Sequence, residues 1–101
     1  MKILIPTSKN DLNGEINLRF ARAPYFIIYD TEKKTTKIKE NPYSDGARAV
    51  GTMVAQYIVN EGIKIVVASD MGPNAKMILT EANIEVKKIS GSVKEALSQF
   101  K

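Results

Sequence analysis

The second half of the chain alternates two kinds of apolar segment, and that alternation limits the fold more than any other feature. Ala47 to Glu61 has helical spacing, with Ala47, Val50, Val54, Tyr57 and Ile58 on one face and Gly62 as a C′ stop. Ile63 to Ala68 follows as a buried strand. Gly72-Pro73 opens a second helix with proline in its first turn, running to about Asn83 with Ala75, Ile78, Leu79 and Ala82 inward. Ile84 to Ile89 reads as another strand. Ser92 and Glu95 then form a capping box, each expected to bond the other's backbone amide, ahead of a last helix with Val93, Ala96, Leu97 and Phe100 on its inner face. Such a succession demands parallel strands joined by right-handed crossovers.

The first half is a meander. Lys2 to Pro6 is a short strand that Pro6 should end. Tyr25 to Thr31 is aromatic and β-branched throughout and reads as buried on both faces, hence central. Glu32 to Thr35 turn the chain. Thr36 to Glu40 then alternates polar with apolar, and its outward Lys37 and Lys39 are what an edge strand carries against unwanted pairing. One α/β sheet satisfies both halves: five mixed strands in the order 3-2-1-4-5, only the second reversed, with three helices. That is the ribonuclease-H-like motif, and residues 1–101 are expected to form a single domain.

In this topology strands 1, 3, 4 and 5 end at the same edge. The segments leaving that edge are Thr7–Pro24, Asn41–Gly46, Ser69–Gly72 and Ser90–Gly91, whereas the opposite edge is trimmed to minimal turns. Open α/β sheets bind ligands outside the carboxyl ends of their strands. Helices starting at Gly72–Asn74 and Gly91–Ser92 would turn free amides toward an anion there. Thr7, Ser8, Arg19, Arg22, Asn41, Ser69, Gly72, Asn74, Ser90 and Ser92 are the candidate lining residues. Taken singly, each has an ordinary structural explanation, Ser92 as a cap and Gly91 as a turn residue. Their convergence on one edge is what suggests a site.

Composition removes whole classes of chemistry. The chain has no cysteine and no histidine, so disulfides, thiolate nucleophiles, Cys/His zinc sites and imidazole acid–base catalysis are all excluded. A ribonuclease-H-like nuclease holds its two metal ions through carboxylates, one of them on the first strand, and Ile3-Leu4-Ile5 has none. Asp11, Asp45 and Asp70 lie in loops, where solvated carboxylates are the common case, and Met71 reads as packing more than as a thioether ligand. The net charge of +4 is spread over scattered lysines, a mildly basic solvated surface. No apolar run approaches a membrane span and the N-terminus does not read as a signal peptide, so a cytoplasmic protein is expected, with no membrane partner.

Three stretches carry a family resemblance: Phe20 to Phe26 (FARAPYF), Glu40-Asn41-Pro42, and Ser69 to Ala75 (SDMGPNA), followed by Gly91 to Leu97 (GSVKEAL). Together, in this order, they resemble the dinitrogenase iron-molybdenum cofactor biosynthesis family, the NifX/NafY-like domains, over essentially the whole chain. The resemblance implies a ribonuclease-H-like fold and a non-enzymatic binding or carrier role. The implied cargo is an anionic iron–sulfur or iron–molybdenum-type cluster or its precursor, with a protein partner in cofactor assembly. Where the family often has His-Phe-Gly-Arg-Ala, this chain reads Arg19 to Ala23 (RFARA). The histidine that would ligate a metal is therefore arginine, leaving anion binding without a direct metal ligand. The competing expectation is a nucleic-acid-binding module on an inactive ribonuclease-H-like scaffold, disfavoured because no aromatic–basic platform is present. A third, a small metal-dependent hydrolase or transferase acting on phosphorylated metabolites, would have to work through Asp45 or Asp70.

Overall fold

The computed structural model describes every residue except Leu18, Asp45, Ala47, Arg48 and Asp70. Strands β1 (Lys2–Thr7), β2 (Tyr25–Asp30) and β3 (Thr35–Glu40) come first, then helix α1 (Val50–Asn60), β4 (Ile63–Ala68), α2 (Pro73–Glu81), β5 (Glu85–Lys88) and α3 (Val93–Ser98). They build one five-stranded sheet in the order β3-β2-β1-β4-β5. The β1–β2 and β2–β3 pairs are antiparallel, and β1–β4 and β4–β5 are parallel. This is the mixed α/β topology anticipated, with β2 alone reversed.

Period-two alternation divides the apolar residues between two cores. Leu4, Phe26, Ile28 and Val66 face α1 and α2, meeting Val54, Ile58 and Leu79. Ile3, Ile5, Ile27, Tyr29 and Val67 face α3, meeting Val93, Ala96 and Leu97. Central β1 and its neighbour β2 are covered on both sides, which is why both read as unbroken apolar runs.

Element ends differ from expectation for identifiable reasons. Pro6 lies inside β1, opposite Phe26, because the pairing of β1 with β4 has already ended at Leu4, so no ladder bond to that side needs its missing N–H. Helix α1 begins at Val50, since Ala49 is left-handed (φ 55°, ψ 25°); Ala47, expected on its apolar face, lies outside the described residues. Helix α2 ends at Glu81. Asn83 takes φ 61°, its N–H donates to the Thr80 carbonyl, and that of Ile84 donates to the Leu79 carbonyl. The pair is a Schellman closure, and it uses the Ile84 amide that a longer β5 would need. Helix α3 stops at Ser98, yet half-buried Phe100 still packs on its core.

The stretch from Thr7 to Pro24 is held at several described positions. Bridges Thr7–Ile16 and Glu15–Ser92 pin it, and a 3-10 turn spans Phe20–Arg22. No helix among the described residues is long and apolar enough to cross a membrane.

Candidate functional site

The 3-10 turn is seated by its apolar side. Phe20 and Ala23 are buried in the core beneath α1 and α2, while Arg19 and Arg22 on either side of Phe20 stay exposed. Asn41 holds the turn from below. It is 2% exposed, its side-chain amide donates to the carbonyls of Ala21 and Ala23 at 2.9 Å each, and its Oδ1 accepts from the Tyr43 N–H at 2.9 Å. Tyr43 in turn meets Tyr57 edge-on at 6.4 Å, and Tyr57 stacks near Phe26 at 6.2 Å. Burial, reinforced by nearby Glu61, pushes the Tyr57 phenol above its ordinary range, so it stays neutral and serves as packing.

Arg22 is aimed by the next loop, its Nη1 donating to the Gly46 carbonyl at 2.9 Å. A Cβ at Gly46 would come within 2.7 Å of Val50 Cγ2, so only glycine lets this loop pass so close to the start of α1. Arg19 is set by its own N–H, which donates to Asn17 Oδ1 at 2.7 Å.

These constraints place both arginines on a cleft of about 440 Å³, whose other walls are the first turns of α1 (Ala49–Thr52) and α2 (Gly72–Ala75), with Met71 between them. The helices approach closely there, since a Cβ on Gly51 would lie 3.6 Å from that of Ala75. First-turn amides have no partner within their own helix. Neither Ala49 nor Gly72 supplies a side-chain cap and Pro73 removes one donor, so the amides of Gly51, Thr52, Asn74 and Ala75 have neither an intrahelical nor a capping acceptor. No carboxylate stands among the described residues of this wall. Two guanidinium groups and two helix dipoles therefore make the cleft electropositive.

The ten residues singled out from sequence separate into distinct places. Arg19, Arg22, Gly72 and Asn74 share the cleft. Ser69 lies in an adjoining recess of about 160 Å³ with Lys76 and Lys88, and its hydroxyl donates to the Ile89 carbonyl. Ser8 lines a groove of about 620 Å³ along the long loop, which Arg19 also borders, and its hydroxyl accepts from the Asn17 side chain. Thr7 is buried, its hydroxyl donating to the Glu15 carbonyl and accepting from the Lys9 N–H. Thr7 and Asn41 thus hold the loops and do not line the cleft. Ser90 is exposed and lies outside all three.

Ser92 accepts from the Glu95 N–H at 3.0 Å; the reciprocal bond from the Glu95 carboxylate is absent among the described residues. The start of α3 does not reach the cleft. Its Val93 amide is taken by the Gly14 carbonyl, and Gly91 accepts from Ile16. The second helix start at the cleft belongs instead to α1. Its signal was present, because a helix that follows β3 must also begin at this edge.

The donor set decides what the site can hold. With no histidine or cysteine in the chain, there is no imidazole or thiolate for a metal. No cluster of three acidic, histidine or cysteine side chains exists among the described residues. Asp45 and Asp70, considered as cation ligands, lie outside those residues. Amides and guanidinium groups can grip an anion through its outer atoms.

Fold and cleft together define an α/β domain in which two helix starts without a side-chain cap and two arginines line one cleft. The chain belongs to the dinitrogenase iron-molybdenum cofactor family, which it matches over residues 1–101. It is 31% identical to an uncharacterised protein of Methanocaldococcus jannaschii, over 99% of this chain and 85% of that one. Among solved structures it is similar to a NifB-like protein from Thermotoga, with TM-score 0.81 and 39% identity over 98% of this chain and 85% of that one. The apo form of the orange protein from Desulfovibrio gigas shares the fold at TM-score 0.88 and 24% identity, covering 98% of this chain and 85% of that one.

Proposed function

We propose that the protein is a non-catalytic binding or carrier domain for an anionic metal–sulfur cluster or cofactor precursor, held in the cleft by Arg19, Arg22 and the first-turn amides of α1 and α2. The observation that carries this reading is a contrast between helix starts. Helix α3, away from the cleft, is capped by Ser92, whereas α1 and α2, which open on it, have no side-chain cap. With Ala49 as N-cap, α1 forgoes about 1 kcal/mol, and with Gly72 α2 forgoes only about a few tenths; an anion lodged at both starts would supply the acceptor that the caps do not. Family membership supports the ligand class. The absence of any thiolate or imidazole fits a cargo that must be handed on, because such a hold breaks no metal–ligand bond on release.

Anaerobic titration with isolated iron–molybdenum cofactor, and separately with tetrathiomolybdate as a small metal–sulfur anion, tests this by visible absorption. Saturable binding is expected, weakening with salt and falling at least about tenfold in Arg19→Ala/Arg22→Ala, since each lost charge-assisted contact is worth about 1.5–3 kcal/mol. Equal binding by wild type and the double variant would remove the proposal.

A further inference from the structure

A second basic feature lies at the far edge of the molecule, on β3. This strand is the sheet's border, and five of its six residues are exposed. Every second residue of a border strand turns its N–H and C=O away from the sheet, and no hydrogen bond to the outer side of β3 is formed among the described residues. Register puts Lys37 beside Ile28 and Lys39 beside Phe26, so both lysines stand on the α1 face of the sheet. Lys2 and Lys33 join them around a pocket of about 250 Å³ that also includes Asp30 and Glu61. Lys39 pairs with Glu61 at 3.4 Å, and the Asp30 Oδ1 is engaged by the turn amides of Glu32 and Lys33. Lys2, Lys33 and Lys37 have no ion-pair partner among the described residues.

We propose that β3 is the docking edge for an extended acidic segment of a partner protein, which adds as a sixth strand and sets alternate carboxylates against Lys37 and Lys39. Side chains two apart on a strand are about 7 Å apart, so the lysine spacing and that of carboxylates at alternate positions coincide. A second copy of this chain is the wrong occupant. In the two antiparallel registers of greatest overlap that keep the sheet faces continuous, Lys37 lies opposite Lys39 or opposite itself, and like charges directly opposite repel. Nucleic acid is also a poor fit, for the pocket has two carboxylates and no aromatic ring to stack a base. The lysines that guard the edge against its own kind select an acidic strand.

The probe is a seven-residue peptide with Glu at alternate positions and Thr or Val between, followed by amide NMR and hydrogen exchange on the whole chain. Chemical shifts of Thr35–Glu40 should move, and exchange at the outward β3 amides should slow. A matched lysine peptide should bind about fivefold more weakly, as expected when the pairs at both Lys37 and Lys39 turn from opposite to like charge. Lys37→Glu, and the double Lys37→Glu/Lys39→Glu, should reverse that preference while the remaining amide spectrum stays in place. Four results would overturn the proposal: no response at β3, equal response to both peptides, dimerisation of the free chain through β3, or a short DNA duplex slowing exchange at the same amides.

Discussion

Asn41 shows how much of the cleft rests on one buried side chain. Both hydrogens of its amide and its oxygen are engaged, and two of the three partners are carbonyls that flank Arg22. Alanine here would leave the buried Ala23 carbonyl without its partner, and one unsatisfied buried group costs about 1–3 kcal/mol. Asn41→Ala should therefore lower stability by about 2–3 kcal/mol in urea unfolding, and it should weaken anion binding because the arginine turn loses its floor. Asn41→Asp should be no better, since the oxygen replacing Nδ2 would face the Ala21 and Ala23 carbonyl oxygens with no hydrogen to donate. Stability within ~0.5 kcal/mol of wild type for Asn41→Ala would show that the turn is held by Phe20 and Ala23 alone.

Among the elements, the β2–β3 hairpin has a pH dependence whose sign is fixed by its geometry. Asp30 lies below its ordinary value of 3.8, chiefly because its carboxylate accepts the Lys33 amide, with help from the Glu32 amide and the nearby N-terminal and Lys33 charges against some desolvation. A carboxyl lowered in the folded state adds stability above its unfolded value, and that contribution is lost as pH falls through the folded value. Wild type should thus exceed Asp30→Asn in urea midpoint at pH 7, and the gap should close as pH falls below the ordinary carboxylate value and through the lower folded one. A gap that stays constant with pH would assign the effect to hydrogen-bond geometry and not to charge.

The same scale shows what could be read from sequence. Topology was legible because Gly62, Pro73 and the Ser92 cap punctuate the second half by backbone rules that tertiary contacts did not override. The ends of α1 and β5 were not, since the left-handed turn at Ala49 belongs to a residue with no local preference for it, and the Ile84 amide is claimed by a helix closure. Counting loops at one edge brings Arg19, Arg22, Gly72 and Asn74 together, and these four border one cleft. Thr7 and Asn41 were misplaced as lining, because a polar loop residue gives no sign of whether its donors turn inward or outward.

At the scale of the molecule, the segment from Ser8 to Pro24 ties the two cores together over the edge that holds the cleft. Ile16 is 4% exposed in the α3-side core, while Phe20, four residues on, is 3% exposed in the core under α1 and α2. Between them run backbone bonds from Ile16 to Gly91, Asn17 to Pro6 and Val93 to Gly14. Burial of this kind makes an irregular segment part of the cooperative unit, so its amides should open only with the whole fold. In native-state hydrogen exchange, Ile16, Asn17 and Val93 should approach the protection of the Leu4 and Val66 amides in the sheet. Ile16→Ala should lower global stability by about 2–4 kcal/mol and lower those protections together. It should also weaken binding at Arg19, whose amide is positioned through Asn17. If Ile16 instead exchanges as freely as an exposed loop while β1 stays protected, the segment is a separate flap of low stability. The arginines would then be ordered only when the anion arrives, and affinity would include the cost of closing it.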